Sequence, residues 1–417
     1  MKEEYRNIGI LSLGCPRNLV DSEDILSRLK NKGYRLVDID KAEIALINTC
    51  CFIKEAKEES IEALLDLIEL KRKGSIKKII AYGCLIERYA HELPSLLKEV
   101  DAFVGRISLN HSKRRFYLTP RHYAYLKICE GCVNTCSFCI IPKIKGRLSS
   151  RAPDSLIQEV KELEKRGTKE LNLIGQDITL YGQDRDYPLT LSKLLKEILK
   201  STKDIRWIRL LYLNPLRITD ELLGLIRDEP RICKYIDLPI QHINERILKL
   251  MRRNTTKKEI LDLIKKIRKK IPKVAIRTAL MVGFPTETDK EFRQLLDFIE
   301  DTSFERLGVF TYSREEGTPA YGLRPQIAEK IKQERFEIIM AKQQEISRRL
   351  NSRLMGESLE VLIDECDKGN YLGRTQFDAP EVDGLVFLRT KAALKIGEFK
   401  KVKIVDTLEY DLVGEVS

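Results

Sequence analysis

Gly131-Cys132-Val133-Asn134-Thr135-Cys136-Ser137-Phe138-Cys139, residues 131–139, carries three cysteines on one short loop, four and then three residues apart. The loop directly follows an apolar strand pattern over 123–128. Three thiolates so spaced can hold three corners of a cubane iron–sulfur cluster and leave one iron without a protein ligand. A structural zinc site would want a fourth ligand, and Cys129, three residues before Cys132, is the candidate for one. The spacing and the strand-end position together favour the cluster.

Outward from that loop the chain alternates strand and helix patterns. Strands are expected at 123–128, 170–174, 207–213, 235–240, 275–282 and 307–312, with helices between them such as 156–166 and 257–270. Six such units predict a partial barrel whose active face lies at the strand C-termini. A long helical piece, 328–354, follows. Upstream, strand patterns at 8–13, 43–48, 77–82 and 101–104 alternate with helix patterns at 18–32, at 54–73 and from Ile86. That alternation predicts an open parallel sheet covered on both faces. From Leu359 the pattern changes to short strands at 359–363, 371–377, 385–389, 401–405 and 409–413, which predicts a small antiparallel barrel. The chain is therefore α/β, with expected domains at 1–115, 116–354 and 355–417. Asn110-His111-Ser112-Lys113-Arg114-Arg115 reads as a basic linker between the first two.

Of the 417 residues, 43% are hydrophobic and 33% charged, which excludes a disordered chain. No apolar run is long enough to cross a bilayer. The acidic start Met1-Lys2-Glu3-Glu4 does not read as a signal peptide, so the cytoplasm is expected. Ten cysteines in a reducing compartment point to metal binding or catalysis rather than disulfides. Only four histidines argue against mixed His/Cys sites. The net charge of +12 is uneven: residues 1–115 hold 21 basic and 18 acidic side chains, residues 355–417 hold 8 and 13, and the middle carries +14. The basic middle suits contact with a polyanion.

Cys15, Cys50 and Cys84 each follow an apolar strand and precede a helix. In an open parallel sheet those positions share one edge, where ligands bind. They can converge on a second three-cysteine cluster, although cysteines are also common as plain buried residues. Cys51 points the other way along an extended backbone and reads as structural.

The cluster loop, with Phe138 before its last cysteine and Ile140-Ile141-Pro142 after it, resembles the radical S-adenosylmethionine superfamily. The order of three-cysteine domain, cluster loop and C-terminal barrel resembles the methylthiotransferases of that superfamily over nearly the whole chain, the barrel corresponding to a TRAM domain. Ile174-Gly175-Gln176-Asp177, residues 312–320, residues 373–384 and residues 408–414 are similar to the RimO type. Cys51 and Cys129 depart from the pattern, standing where small or polar residues are expected.

The resemblance implies two 4Fe–4S clusters, one on Cys15, Cys50 and Cys84 and one on Cys132, Cys136 and Cys139. It implies S-adenosylmethionine as methyl donor and as source of a 5′-deoxyadenosyl radical. The implied product is a methylthio group on an unactivated carbon of an aspartate in small-subunit ribosomal protein twelve. A tRNA adenosine is the alternative target, and a non-catalytic iron–sulfur or RNA-binding module is the alternative of another class. A pure electron carrier would give its cluster four protein ligands. Phe138 is implied near the adenine, and Gly175 and Gln176 near the amino end of S-adenosylmethionine; loop packing and a turn are the plainer roles. Gly283-Phe284-Pro285 is either a cofactor-edge loop or a turn. His242 reads as a hydrogen-bonded structural residue. Arg151 reads as solvated surface or as a holder of a substrate carboxylate. The basic run 265–270 reads as an outer helix face, with a nucleic-acid patch as the alternative. An electron-donor protein, a monomeric state and a contact with ribosomal RNA are further expectations. The acidic C-terminal barrel, with Asp364, Glu365, Asp378, Glu381 and Asp383 close in sequence, is expected to dock the basic ribosomal protein.

Overall fold

Strand β3 (Ile44–Thr49) is buried at every residue, as a central strand covered on both faces must be. It lies in a five-stranded parallel sheet with β1 (Asn7–Ser12), β2 (Arg35–Leu36), β4 (Lys78–Gly83) and β5 (Ala102–Val104), in the order β2-β1-β3-β4-β5. The strand order reverses between β1 and β3, so the crevice at their C-terminal ends is where such a sheet takes ligands. Helix α1 (Pro16–Asn31) follows β1, α2 (Lys54–Arg72) follows β3 and α3 (Cys84–Arg88) follows β4. The two-residue edge strand β2 has no apolar pattern of its own to announce it.

The computed structural model describes residues 6–106, 115–185 and 189–416. Residues 110–114 of the expected linker lie outside these. Arg115, its last residue, is no linker residue: it is buried, and its guanidinium pairs with Glu23 of α1 and Glu159 of a barrel helix at 3.1 Å each.

The central domain holds the six expected strands. β6 (Tyr123–Lys127) is followed by a short ribbon, β7 (Cys129–Glu130) paired with β8 (Ser149–Ser150). β9 (Glu170–Ile174) lies between β6 and β10 (Trp207–Leu210). β12 (Ala275–Val282) lies between β11 (Tyr235–Gln241) and β13 (Arg306–Thr311). The barrel-strand pairings are parallel, and the β7–β8 ribbon is antiparallel. The two three-stranded halves meet through the Ile208–Ile232 bridge and the Leu213 amide on the Asp237 carbonyl, which continues the partial barrel. Leu and Ile from strands and helices fill the outer layer, and helix Glu329–Asn351 packs along β13.

The C-terminal strands β14 (Ser358–Asp367), β15 (Asn370–Thr375), β16 (Val386–Arg389), β17 (Phe399–Thr407) and β18 (Leu412–Val416) close into a barrel in the order β14-β15-β16-β18-β17. Four pairings are antiparallel and β16–β18 is parallel. The last strand starts after the expected 409 because Leu408 and Asp411 form a turn, while the Asp411 carboxylate accepts the Leu385 amide at 2.8 Å.

The loop after β15 plugs the N-terminal mouth of the central barrel. Arg374 pairs with Glu170 at 2.7 Å, at the start of β9. Asp378 pairs with Arg306, at the start of β13. Asp383 accepts the Tyr235 hydroxyl at 2.7 Å and faces Arg277 at 3.4 Å. Glu381 accepts the Tyr123 hydroxyl at 3.0 Å, and Asp364 meets Arg374 and His122. Of the acidic cluster expected to form a docking surface, Asp364, Asp378 and Asp383 are turned toward the central domain, and Glu381, though exposed, is bonded to Tyr123. A count of charge by segment cannot separate a solvated carboxylate from one already paired.

Candidate functional site

Cys15, Cys50 and Cys84 sit at the C-terminal ends of β1, β3 and β4, where sequence spacing puts them. Cys15 is the N-cap of α1, with Pro16 in its first turn. Gly14 has φ +87°, and a Cβ there would lie 2.7 Å from the Cys50 Cβ and 2.9 Å from its sulfur. Only glycine lets β1 turn so close to Cys50. Asn18, in the first turn of α1, ties the three strand ends together. Its Nδ2 donates to the Leu13 and Thr49 carbonyls at 3.1 and 3.3 Å, and its Oδ1 faces the Cys84 sulfur at 3.7 Å. Asn48 braces that turn by donating to the Asn18 carbonyl at 2.8 Å and to Ser22 at 2.9 Å. The Ser60 hydroxyl holds the Cys50 amide at 2.9 Å. Asn18, Ser22 and Ser60 on helices and Asn48 on β3 were not singled out from sequence; lone polar residues there read as solvated, and their burial is the only signal.

Burial pushes the Cys84 thiol up to about 12 and the Cys50 thiol upward. Burial acts the same way on Cys15, but the Arg17 guanidinium outweighs it and brings that thiol below its ordinary value. Cys51 lies in the sheet core against Leu64 and Leu85, pushed up to about 12 by burial.

The second trio lies on the loop after β7. The Asn134 amide donates to the Cys132 sulfur at 3.4 Å, and Arg253 Nη1 reaches the Cys136 sulfur at 3.7 Å. Ser137 fastens the loop to the Leu250 and Met251 carbonyls at 2.6 and 3.0 Å. Arg217 bridges Asp177 and Asn134 at 3.0 and 2.9 Å, fixing the loop to the end of β9. Burial raises the Cys132 thiol despite the Asn134 amide, and pushes the Cys139 thiol up to about 12. All ten cysteines are free thiols. Among the described residues no three His, Cys, Asp or Glu side chains gather as ligands of a single metal ion. Within each trio the thiols lie close enough to interact electrostatically, Cys15 with Cys50 and Cys84, and Cys136 with Cys132 and Cys139; in a cubane each thiolate binds a different iron.

Arg17 joins the two trios. Its Nε donates to the Cys15 sulfur at 3.3 Å and its Nη1 to the Gly175 carbonyl at 3.1 Å, and its charge reaches Cys139. The guanidinium lies over the Tyr212 ring, 4.7 Å from the centroid. The two strand-end edges therefore face each other. Lys57 and Arg88 clamp the arrangement at one side through Glu315, at 2.8 and 2.6 Å. On another side lies a cavity of about 660 Å³, lined by Cys84, Cys129 and a buried ion cluster of Asp21, Lys127, Glu130 and Lys145.

The remaining sequence candidates divide. A Cβ on Gly175 would come within 2.6 Å of the Cys129 sulfur, so close approach to that cysteine explains the glycine. Cys129 itself is buried in the barrel core, with its thiol pushed up by burial. Gln176 Oε1 is buried without a partner, the kind of orphaned acceptor an ammonium group would satisfy. Phe138 packs beside Phe284, Tyr312 and Met251. Gly283 donates its amide to Glu287 at 2.5 Å, and Glu287 also receives His242 at 3.0 Å and Arg335 at 2.6 Å. His242 is thus a buried structural residue. Arg151 is partly buried rather than solvated: it pairs with Glu159 at 2.7 Å, donates to the Lys127 carbonyl at 3.1 Å and lines the cavity of about 660 Å³. In the run 265–270, Lys266 and Lys270 pair with Asp220 and Arg268 with Glu305, on the outer face of a barrel helix.

Residues 7–105 match the family described as "Uncharacterized protein family UPF0004", residues 126–299 the Radical SAM superfamily and residues 355–416 the TRAM domain. Among solved structures the chain is similar to the radical S-adenosylmethionine methyltransferase TsrM from Kitasatospora setae with cobalamin and a [4Fe-4S] cluster bound. That likeness has a TM-score of 0.56 at 14% identity and covers 76% of this chain and 74% of that one, a likeness of fold alone. Among curated proteins it is 46% identical to the ribosomal protein uS12 methylthiotransferase RimO of Thermoanaerobacter sp. (strain X514), over 98% of this chain and 100% of the relative. It is 48% identical, with the same coverage, to the RimO of Caldanaerobacter subterraneus subsp. tengcongensis. Identity of that size across nearly the full length of both chains shows the family: this chain belongs to the RimO methylthiotransferases.

Proposed function

We propose that this protein transfers a methylthio group to an unactivated carbon of an aspartate in ribosomal protein uS12. The observation that carries the reading is the pair of thiol trios on facing strand-end edges, joined by Arg17. Cys15, Cys50 and Cys84 would hold one 4Fe–4S cluster, and Cys132, Cys136 and Cys139 the other. When bound, the clusters and S-adenosylmethionine supply sulfur presentation, electron delivery and radical generation.

The chain's own residues do the rest. Arg253 and the Asn134 amide hold the second trio ready for metal. Gln176 offers its orphaned carbonyl to the amino group of S-adenosylmethionine, with Gly175 leaving room beside Cys129. Phe138 closes the rim as an apolar wall. The Glu315 clamp keeps the two edges at fixed separation and water out, so that a radical meets its target before solvent.

The working units in this reading are 1–115, 116–354 and 355–417. The setting is the reducing cytoplasm, in keeping with ten free thiols. A separate protein donates electrons, and the enzyme works as a monomer. With three of the five carboxylates of the C-terminal cluster turned inward, the ribosomal protein is met by the open side of the site, with ribosomal RNA against the basic central domain.

Anaerobically reconstituted, reduced enzyme with S-adenosylmethionine should release 5′-deoxyadenosine and add the mass of one methylthio group to an aspartate-containing peptide of uS12. A gain on tRNA adenosine with none on the protein would refute the substrate assignment. No 5′-deoxyadenosine under strong reduction would refute the enzyme.

A further inference from the structure

The reaction leaves one demand unassigned. An aspartate side chain must enter a dry gap between two thiolate sets, and its carboxylate must be held while its neighbouring carbon reacts. A buried carboxylate without a counter-charge is costly. The site therefore needs a cation with a free donor, and most cations around the gap are committed. Arg217 is held by Asp177 and Asn134, Arg88 and Lys57 by Glu315, and Lys127 and Lys145 by Asp21 and Glu130. Arg253 donates through Nη2 to the Pro239 carbonyl and through Nη1 to the Cys136 sulfur, and lies at the far side of that loop.

We propose that Arg17 is the residue that binds the substrate carboxylate, through its Nη2 edge. Nε and Nη1 are used on Cys15 and the Gly175 carbonyl, while Nη2 has no partner among the described residues. Those two bonds and the Tyr212 ring fix the plane of the guanidinium, so the remaining edge has one direction. Arg17 is only partly buried, and it touches both edges between which the substrate must lie.

Its platform is itself set from the C-terminal domain. Tyr212 is held in a left-handed conformation, φ 65°, with its amide on Asp237 at 2.8 Å. Asp237 pairs with Arg277 at 3.2 Å, and Arg277 faces Asp383 of the plug. A continuous run of bonded groups thus leads from the plug to the ring under Arg17. This inference rests on the proposed aspartate substrate.

The test is a double-mutant cycle on binding by the reconstituted holoenzyme, with uS12 as probe and its target aspartate either intact or changed to Asn. Wild-type enzyme should bind the Asp form about ten- to a hundredfold tighter than the Asn form, the range for a charge-assisted pair. Arg17→Gln should bind both forms alike, and Arg17→Lys should fall between. Tyr212→Leu, which leaves Arg17 and all six cluster cysteines in place, should narrow the discrimination without abolishing it. If Arg17→Gln and Tyr212→Leu both keep the full preference for Asp, the assignment is wrong. Failure of the substrate reading has a different signature: wild-type enzyme would add no methylthio mass to uS12 at all.

Discussion

Arg374→Met should loosen the plug from the central barrel. Arg374 is 2% exposed and pairs with both Glu170 and Asp364 at 2.7 Å. Methionine fills most of the same space but leaves two buried carboxylates with one partner fewer. Breaking a buried pair costs about 3–5 kcal/mol. Here Glu170 keeps Arg209 at 2.8 Å and Asp364 keeps His122 at 2.8 Å, which argues for the lower end. About 3 kcal/mol is a factor of roughly 150 in the docking equilibrium.

The chain supplies its own reporter. Its single tryptophan, Trp207, meets Phe399 of the C-terminal barrel edge-on at 4.8 Å between ring centroids. In a urea titration the variant should lose the Trp207 signal well before its far-ultraviolet circular dichroism, whereas wild type should lose both together. Acid adds a sign. Burial raises the Glu170 and Asp364 carboxyls, but Arg374 with Arg209 or His122 outweighs it, so both lie below the ordinary range. Their contribution is complete above the unfolded carboxylate values and is lost as pH falls through the depressed native ones. Wild-type docking should therefore weaken in acid, and the variant should show a flatter dependence. A Trp207 transition moved by less than about 1 kcal/mol, with the wild-type pH slope intact, would refute the argument.

Three further outcomes are expected. Replacing Cys15, Cys50 or Cys84 with Ala should lower iron from about eight to about four per chain, keep 5′-deoxyadenosine release and abolish methylthio insertion; loss of release first would reverse the proposed division of labour. Cys51→Ala and Cys129→Ala should keep about eight irons, and a loss of four in either would make that cysteine a ligand. Gly175→Ala should destabilise by about 1–3 kcal/mol through contact with the Cys129 sulfur, and Cys129→Ala in the same chain should relieve most of that in a thermal melt.

What the sequence disclosed follows from range. Strand ends carrying Cys15, Cys50 and Cys84 are set by local patterns of apolar residues, and the parallel sheet then brings them to one edge. The loop at 132–139 is local altogether. The acidic cluster misled because its partners, Tyr123, Tyr235, Arg277 and Arg306, lie far away in the chain and each reads as an ordinary strand residue. Asn18 and Arg17 were hidden for a related reason. Polar residues in the first turn of a helix usually face water, and only the packing of the central barrel against this edge gives these two their roles. The family-like stretches at 312–320 and 373–384 turn out to include Glu315, Arg374, Asp378 and Asp383, all fasteners between domains.

Those fasteners limit how this architecture can be recombined. A C-terminal module borrowed from a distant cousin would present its own loop to Glu170, Arg277 and Arg306, and any mismatch would strand an ion in a greasy seam. Shuffling at residue 355 is therefore not modular. A viable chimera has to carry the strand starts along with the cap they fit, so the two segments should be inherited as one unit.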